Sequence, residues 1–244
     1  MGAAARDIML AHAHGIDVRR RTEDVDFAVM VKDWPQFESL RNNLILGGEF
    51  STRPGAAAHK LCHRKSGLPL DLVPFGGIER NDRTIAWPPD GGTVLGCLGM
   101  REAFAATQWV RLPECSPTRV PSIAALTILK IAAWEDRKLS LPGKDAPDLI
   151  LYLRSYMDCN NIDRVGDLHP DLFDAVDYDH IEAGARLLAR DMADLLDEPA
   201  IELLLKILAP EADERGTLLL AHQSRFDLEQ ARRLIEVVCD ELTH

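Results

Sequence analysis

The stretch that most constrains this chain is a short apolar strand with two acids at its entrance, Asp24-Val25-Asp26. Side chains two residues apart on a strand share a face, and two steps of ~3.3 Å place their Cα atoms roughly 6–7 Å apart. Like charges held that close repel each other unless a cation lies between them. The pattern predicts a hard-metal site, and Mg²⁺ is favoured because it takes carboxylate oxygens and leaves positions open for phosphates.

A second apolar strand, predicted between residues 68 and 75, carries one acid at its centre, Asp71. An unpaired carboxylate in so apolar a strand is costly. A salt bridge to an arginine would satisfy it, as would an edge-strand position that faces water. Taken together with Asp24 and Asp26, we favour Asp71 as a third metal ligand.

The spacing of apolar residues predicts the remaining elements. In the first half these are helices over 2–10 and 34–46, strands over 25–31, 50–53, 59–64, 93–98 and 108–112, and a turn of helix near 101–106. The later pattern is helical, most clearly over 122–138, 144–153, 181–196, 200–208 and 227–242. The predicted fold class is therefore α+β, a small mixed sheet with flanking helices followed by an all-α C-terminal domain. A proline-rich connector sets the domains at 1–117 and 118–244.

Composition excludes several classes of protein. The net charge of −11 argues against wide, passive wrapping of nucleic acid. The longest apolar stretches are too short to span a bilayer, and no secretory signal is recognisable, so we expect no membrane partner. Five scattered cysteines without a Cys-x-x-Cys pair favour free thiols in a reducing cytoplasm. His59, Cys62 and His63 lie close together, but no second ligand pair follows, which disfavours zinc.

Three features stay open on the pattern alone. Gly2 at the start of a helix could let the backbone approach a phosphate, although a plain N-cap glycine is favoured. The basic run at residues 19–21 could bind phosphate, although a solvated loop is favoured. Lys130 lies within an apolar helix, where a lysine usually extends its ammonium to solvent.

Several segments together resemble a known family. The motif segments are Gly2-Ala3 with Arg6-Asp7, then Arg21-Thr22-x-Asp24-Val-Asp26, Leu70-Asp71-Leu-Val-Pro, Lys130-Ile-Ala-Ala-Trp-x-Asp136-Arg137 and Lys144-Asp145-x-x-Asp148. They resemble the AbiEii-like nucleotidyl transferase family of the polymerase β-type nucleotidyltransferase superfamily, whose better-known members are toxins of toxin–antitoxin pairs. The family carries a helix and a strand before the glycine, so we expect that this sequence lacks them.

The resemblance implies a nucleotidyltransferase core that moves a nucleoside monophosphate from an NTP to an acceptor hydroxyl. Asp24 and Asp26 would hold two Mg²⁺ ions, and Asp71 would bind the ion beside the acceptor. Lys130 would neutralise charge on the phosphates as a further catalytic residue. The nucleotide contacts implied are Gly2, Ala3, Arg6, Arg21, Thr22, Lys144 and Asp145, the last by orienting a lysine or arginine. Asp136 and Arg137 fit a structural pair as well as a site.

The acceptor stays open among tRNA, a protein hydroxyl and a small molecule, and the resemblance implies an antitoxin as a partner protein. Two other functions are weighed. The first is a catalytically impaired nucleotide-binding or regulatory protein with the same fold. The second is a metal-dependent phosphohydrolase, which is disfavoured because His12, His14, His59 and His63 show no metal-binding spacing.

Overall fold

The computed structural model describes residues 1–18, 24–112, 117–173 and 178–244. Within them the chain is mixed α/β, with small sheets and a helical C-terminal region. In this part of the chain, no helix combines the length and the apolar character needed to cross a membrane. Cys62, Cys97, Cys159 and Cys239 are free thiols, and Cys115 lies outside the described residues.

The largest sheet has four strands in the order β1–β4–β3–β2. The strands are β1 (Val25–Val31), β2 (Phe50–Ser51), β3 (Lys60–His63) and β4 (Pro69–Gly76). β1 and β4 run parallel, whereas β3 pairs antiparallel with both β4 and β2. β1 has the predicted bounds, and β2 and β3 are shorter than predicted.

Helix α2 (Trp34–Leu46) covers one face of this sheet and has the predicted bounds. It begins where the Asp33 carboxylate accepts a hydrogen bond from the Gln36 backbone N–H, which caps the first turn. An apolar cluster of Val31, Phe37, Leu61, Leu70 and Leu72 fills the space between helix and sheet. Since side chains alternate along β1 and β4, Asp26 and Asp71 face the other way, toward the side that α2 leaves uncovered.

Two small ribbons and one short helix link the sheet to the helical region. They are β5 (Thr84–Ala86) with β6 (Val94–Gly96), α3 (Met100–Ala105), and β7 (Thr107–Val110) with β8 (Thr118–Pro121). β5 and β8 were missed by the sequence prediction, because three or four residues ending near prolines give little periodicity. β7 and β8 pair across the predicted domain boundary at residue 117, and the boundary itself stays a prediction.

The helical region contains α4 (Ile123–Arg137), α5 (Ala146–Ser155), α6 (Ile162–Leu168), α7 (His180–Ala193), α8 (Glu198–Ala212), α9 (Leu219–Ser224) and α10 (Leu228–Leu242). The five helices predicted here are confirmed, with ends that differ by a few residues. Ser122 caps α4 as expected, by accepting a hydrogen bond from the Ala125 backbone N–H. α5 begins two residues later than predicted, and the Asp145 side chain makes no capping hydrogen bond because its oxygens bind Arg137 and Lys130.

The N-terminal helix joins the two halves. α1 (Gly2–Arg6) continues as a π-helical segment, Asp7–His12. Its residues Ala5, Met9 and Leu10 belong to the same apolar cluster as the helices α4 to α10. At its start, the Met1 amine donates a 2.8 Å hydrogen bond to the Asp26 carbonyl oxygen of β1. The first residues therefore hold the acid-bearing strand against the helical region.

Candidate metal centre

Three carboxylates converge at the entrance of the two parallel strands. Asp24 immediately precedes β1, Asp26 is its second residue, and Asp71 is the register partner of Asp26 on β4. One oxygen from each of the three lies within 4.8 Å of the others. Within the described ranges, this acid cluster is the one group of three or more histidine, cysteine or acidic side chains that could hold an ion. The sequence prediction brought the same three residues together.

The electrostatics of the acid cluster favour a cation. Burial raises the pKa of Asp26 most, and the charge of Asp24 raises it further. The Met1 amine opposes this, Asp71 adds a smaller increase, Lys144 a still smaller decrease, and the pKa remains raised. A carboxyl group whose charged form is disfavoured in this way gains most from a bound cation, which offsets both the desolvation and the repulsion.

Asp71 has a buried carboxylate oxygen without a hydrogen-bond partner in the ranges that the structure describes. Its Oδ2 accepts a 2.6 Å hydrogen bond from the Lys60 ammonium, and the two form an ion pair. Its Oδ1 is buried and finds no hydrogen-bond partner among the described residues. An orphaned carboxylate oxygen beside two other acids is a donor set of the kind that Mg²⁺ or Mn²⁺ binds, so the residues present fit a hard divalent ion.

Gly2 lies against the acid cluster. Its φ is +70°, and a Cβ at this position would overlap the Asp26 oxygen Oδ2. Both observations require glycine here, since other residues adopt this backbone conformation only under strain. The N-cap of the helix is Met1, so Gly2 is not a plain N-cap glycine, and it makes room for Asp26. Its contact with a phosphate stays a prediction. Ala3 follows in the same helix and offers no hydroxyl.

Two cations on α4, Lys130 and Arg137, lie beside a buried carboxylate. Arg137 donates two hydrogen bonds to Asp145, at 2.6 and 2.8 Å, and Lys130 pairs with the same carboxylate at 3.0 Å. Burial pushes the pKa of Asp145 upward, but the hydrogen bond from Arg137 and the charge of Lys130 outweigh it and leave the pKa lowered. Asp145 therefore orients a lysine and an arginine, which is the role predicted for it.

The same chain of ion pairs continues toward α1. Lys130 also contacts Asp148 at 2.8 Å, Asp148 accepts a 2.5 Å hydrogen bond from Arg6, and Arg6 pairs with Asp7 at 2.6 Å. The side chain of Arg6 is fully buried, and burial lowers its pKa by less than Asp148 and Asp7 raise it. We refer to the alternating series Arg137, Asp145, Lys130, Asp148, Arg6 and Asp7 as the ion network.

The structure separates the cations of the motif segments into two groups. Lys144 and Arg137 lie near enough to Asp26 for their charges to interact with its carboxylate. Lys130 and Arg6 are buried in the ion network instead, so the ammonium of Lys130 does not extend to solvent, and its role beside the phosphates stays a prediction. Arg21 and Thr22 lie outside the described residues.

Lys60 at the acid cluster is the residue that sequence reasoning missed. A lysine in a short strand near the surface looks like a solvated side chain, and only the antiparallel register of β3 with β4 places it opposite Asp71. The signal in the sequence was the alternation of side chains along the strand. Lys60 and Cys62 flank the buried Leu61, which assigns Lys60 to the face opposite the α2 core.

Comparison of the chain with protein-family models, with curated proteins and with solved structures finds no match in any of the three.

Proposed function

We propose that the chain is a metal-dependent nucleotidyltransferase that moves a nucleoside monophosphate from an NTP to an acceptor hydroxyl. The observation that carries the proposal is the convergence of Asp24, Asp26 and Asp71, with one oxygen from each within 4.8 Å of the others. Three acids on two adjacent parallel strands suit a centre that binds divalent ions together with the triphosphate they neutralise.

The acids would divide the work by position. Asp24 and Asp26 would hold two divalent ions, which when bound stabilise the attacking and leaving oxygens of an in-line displacement. Asp71 would ligate on the acceptor side through its orphaned Oδ1 and would help to accept the proton of the attacking hydroxyl.

The helical region would supply the cations for the phosphates. Lys144 and Arg137 are the best candidates, because their charges interact with the Asp26 carboxylate. Arg137 is oriented by hydrogen bonds from its Nε and Nη2 to Asp145, and the other N–H groups of its guanidinium would donate to phosphate oxygens. Lys130 would act through Asp145, as the second cation that keeps this carboxylate charged and in place.

The test incubates the protein with α-³²P-NTPs and Mg²⁺ and measures label transferred to three kinds of acceptor: the protein itself, total cellular RNA and a panel of nucleosides. Asp26→Asn should reduce labelling by on the order of 10³-fold, as loss of a group that stabilises transition-state charge does. Asp167→Asn, at an exposed position on α6, should label like the parent. If Asp26→Asn labels as well as the parent, the proposed mechanism is wrong.

A second candidate is a nucleotide-binding regulatory protein without turnover. Its support is that Lys130 is held by two carboxylates, at 3.0 and 2.8 Å, and would have to leave them to reach a phosphate. Calorimetry with Mg²⁺ and each NTP separates the two functions. Binding without pyrophosphate release favours the regulatory protein, and no binding of any Mg-NTP counts against both.

A further inference from the structure

Lys60 makes a direct contact with the acid cluster. It is the first residue of β3 and the register partner of Asp71 in the antiparallel pair with β4. Its ammonium lies 2.6 Å from Asp71 Oδ2, and 50% of its side chain is exposed, against 15% for Asp71. The pair therefore has one end in water and the other at the predicted metal ligands.

This contact leaves the two oxygens of Asp71 in different states. Oδ2 forms an ion pair with Lys60, whereas Oδ1 is buried and lacks a hydrogen-bond partner within the described part of the chain. The terminal torsion of an aspartate is broad and nearly two-fold, so an unrestrained carboxylate samples many orientations. A cation fixed on one oxygen removes that freedom and presents the other oxygen to a bound ion.

We infer that Lys60 is a positioning residue of the metal centre, which holds Asp71 so that Oδ1 is available as a ligand for a divalent cation. The inference rests on the metal-dependent function proposed above and adds a residue to it. Hydrogen-bonded partners behind ligating carboxylates generally orient them in this way, and their loss lowers metal affinity or activity by about 10–100-fold.

The same ammonium also repels a divalent ion, and this effect has the opposite sign. If repulsion dominated, removing Lys60 would tighten metal binding. We expect orientation to dominate, because the exposed half of Lys60 lets water screen its charge toward the ion while its contact with Asp71 is direct. An ordinary surface ion pair between neighbouring strands would leave metal affinity unchanged.

The test measures Mn²⁺ binding in the absence of nucleotide, by electron paramagnetic resonance of free Mn²⁺ and by calorimetry. Lys60→Met should bind Mn²⁺ about tenfold more weakly than the parent. Lys60→Arg should recover most of the affinity, because a guanidinium also pairs with a carboxylate. Lys206→Met removes an equally charged side chain, 71% exposed and paired with Glu202 on α8, and should bind like the parent.

Unchanged or tighter Mn²⁺ binding by Lys60→Met overturns the inference, and Lys60→Gln is judged by the same criterion if the methionine variant does not fold. A parent that binds no Mn²⁺ overturns the metal centre and the role of Lys60 together. A parent that binds Mn²⁺, loses affinity through Lys60→Met and transfers no nucleotide would disprove the transferase proposal while the role of Lys60 stands.

Discussion

The acid cluster and the ion network use the same residue type in opposite ways. In the acid cluster, burial and the neighbouring charges of Asp24 and Asp71 raise the pKa of Asp26. In the ion network, burial pushes the pKa of Asp145 in the same direction, but cations within hydrogen-bonding distance reverse the outcome. Burial alone therefore does not decide what an aspartate does in this protein, and the neighbouring charges do.

The two regions differ in whether their charges are balanced by neighbouring side chains. The six members of the ion network alternate in sign from Arg137 to Asp7, so each buried charge faces its opposite. The acid cluster sets three carboxylates against the ammonium of Lys60, with Lys144 and Arg137 acting on Asp26 at longer range. We expect the first region to govern stability and the second to govern ligand binding.

The largest effect on stability should come from breaking the ion network. Asp148→Ala removes one of the carboxylate partners of Arg6 and one of those of Lys130, whose side chains are 0% and 11% exposed. Arg6 keeps Asp7 and Lys130 keeps Asp145, but breaking two buried ion pairs should still lower the free energy of unfolding by about 3–5 kcal/mol. Urea denaturation measures it, and Asp24→Ala in the acid cluster is the matched control, with an expected change within about 0.5 kcal/mol. Equal losses in the two variants would erase the distinction between the regions.

The next effect is stabilisation of the acid cluster by its ion. Mg²⁺ at 100 times its dissociation constant should raise the free energy of unfolding by about 2.7 kcal/mol, because only the folded chain assembles the three ligands. Denaturation with and without Mg²⁺ measures the gain, and EDTA should reverse it. Asp26→Asn should show almost none of it. A gain of the same size in that variant would place the ion elsewhere.

Gly2 offers a sharper test with a built-in control. Gly2→Ala and Gly15→Ala both put a Cβ on a residue with φ near +70°, which costs about 1–2 kcal/mol. Only at Gly2 would that Cβ overlap Asp26, since nothing lies within 4 Å of the corresponding position at Gly15. Both variants should lose stability, but Gly2→Ala alone should weaken Mn²⁺ binding. Equal metal affinity in the two variants would show that the close approach to Asp26 is unimportant.

The smallest effect concerns the metal-free protein and depends on pH. Because the folded pKa of Asp26 is raised, its charged form costs stability; the cost is absent below its ordinary value of 3.8, grows as pH rises from there toward the folded pKa, and is constant above it. Asp26→Asn should therefore be more stable than the parent by on the order of 1 kcal/mol at pH 7 without metal. The difference should shrink as pH falls toward 3.8. Urea denaturation at several pH values, with EDTA present, measures it.

Asp145 should respond to pH in the other direction. Its pKa is lowered in the folded chain, so its contribution to stability is full above the ordinary value of 3.8 and disappears as pH falls below it. Acidification should thus reduce the charge repulsion in the acid cluster and weaken the ion pairs of the ion network. A gain from Asp26→Asn that instead grew toward low pH would contradict the assigned direction of its pKa.

The sequence predicted those features that local pattern determines. The bounds of β1 and α2 follow from an apolar run, from Pro35 in the first helical turn and from the glycines after residue 46. Asp71 was recognised as a partner of the other acids because a charge inside so apolar a strand needs one. The signal for each of these inferences lies within a short segment of the chain.

What the sequence could not predict depends on partners far along the chain. Arg6 was expected to contact phosphate. In the structure its side chain is fully buried and pairs with Asp148, which lies 142 residues away in the chain. The partners of Lys130 could not be predicted for a similar reason, since Asp145 and Asp148, at the start of the following helix, pair with it only through folding. Lys60 was overlooked because strand register is a tertiary property. Opposite charges that meet through folding leave no periodic signal in either segment.

The pairing of Arg6 with Asp148 also has a consequence for how the chain is made. During synthesis Arg6 leaves the ribosome 142 residues before its partner, together with the apolar Ala5, Met9 and Leu10 that pack on the later helices. At about 5–20 residues per second, this segment waits on the order of ten seconds for α4 and α5 to appear. The order of translation therefore leaves the acid-bearing strand without its contacts to the helical region until that region has been made.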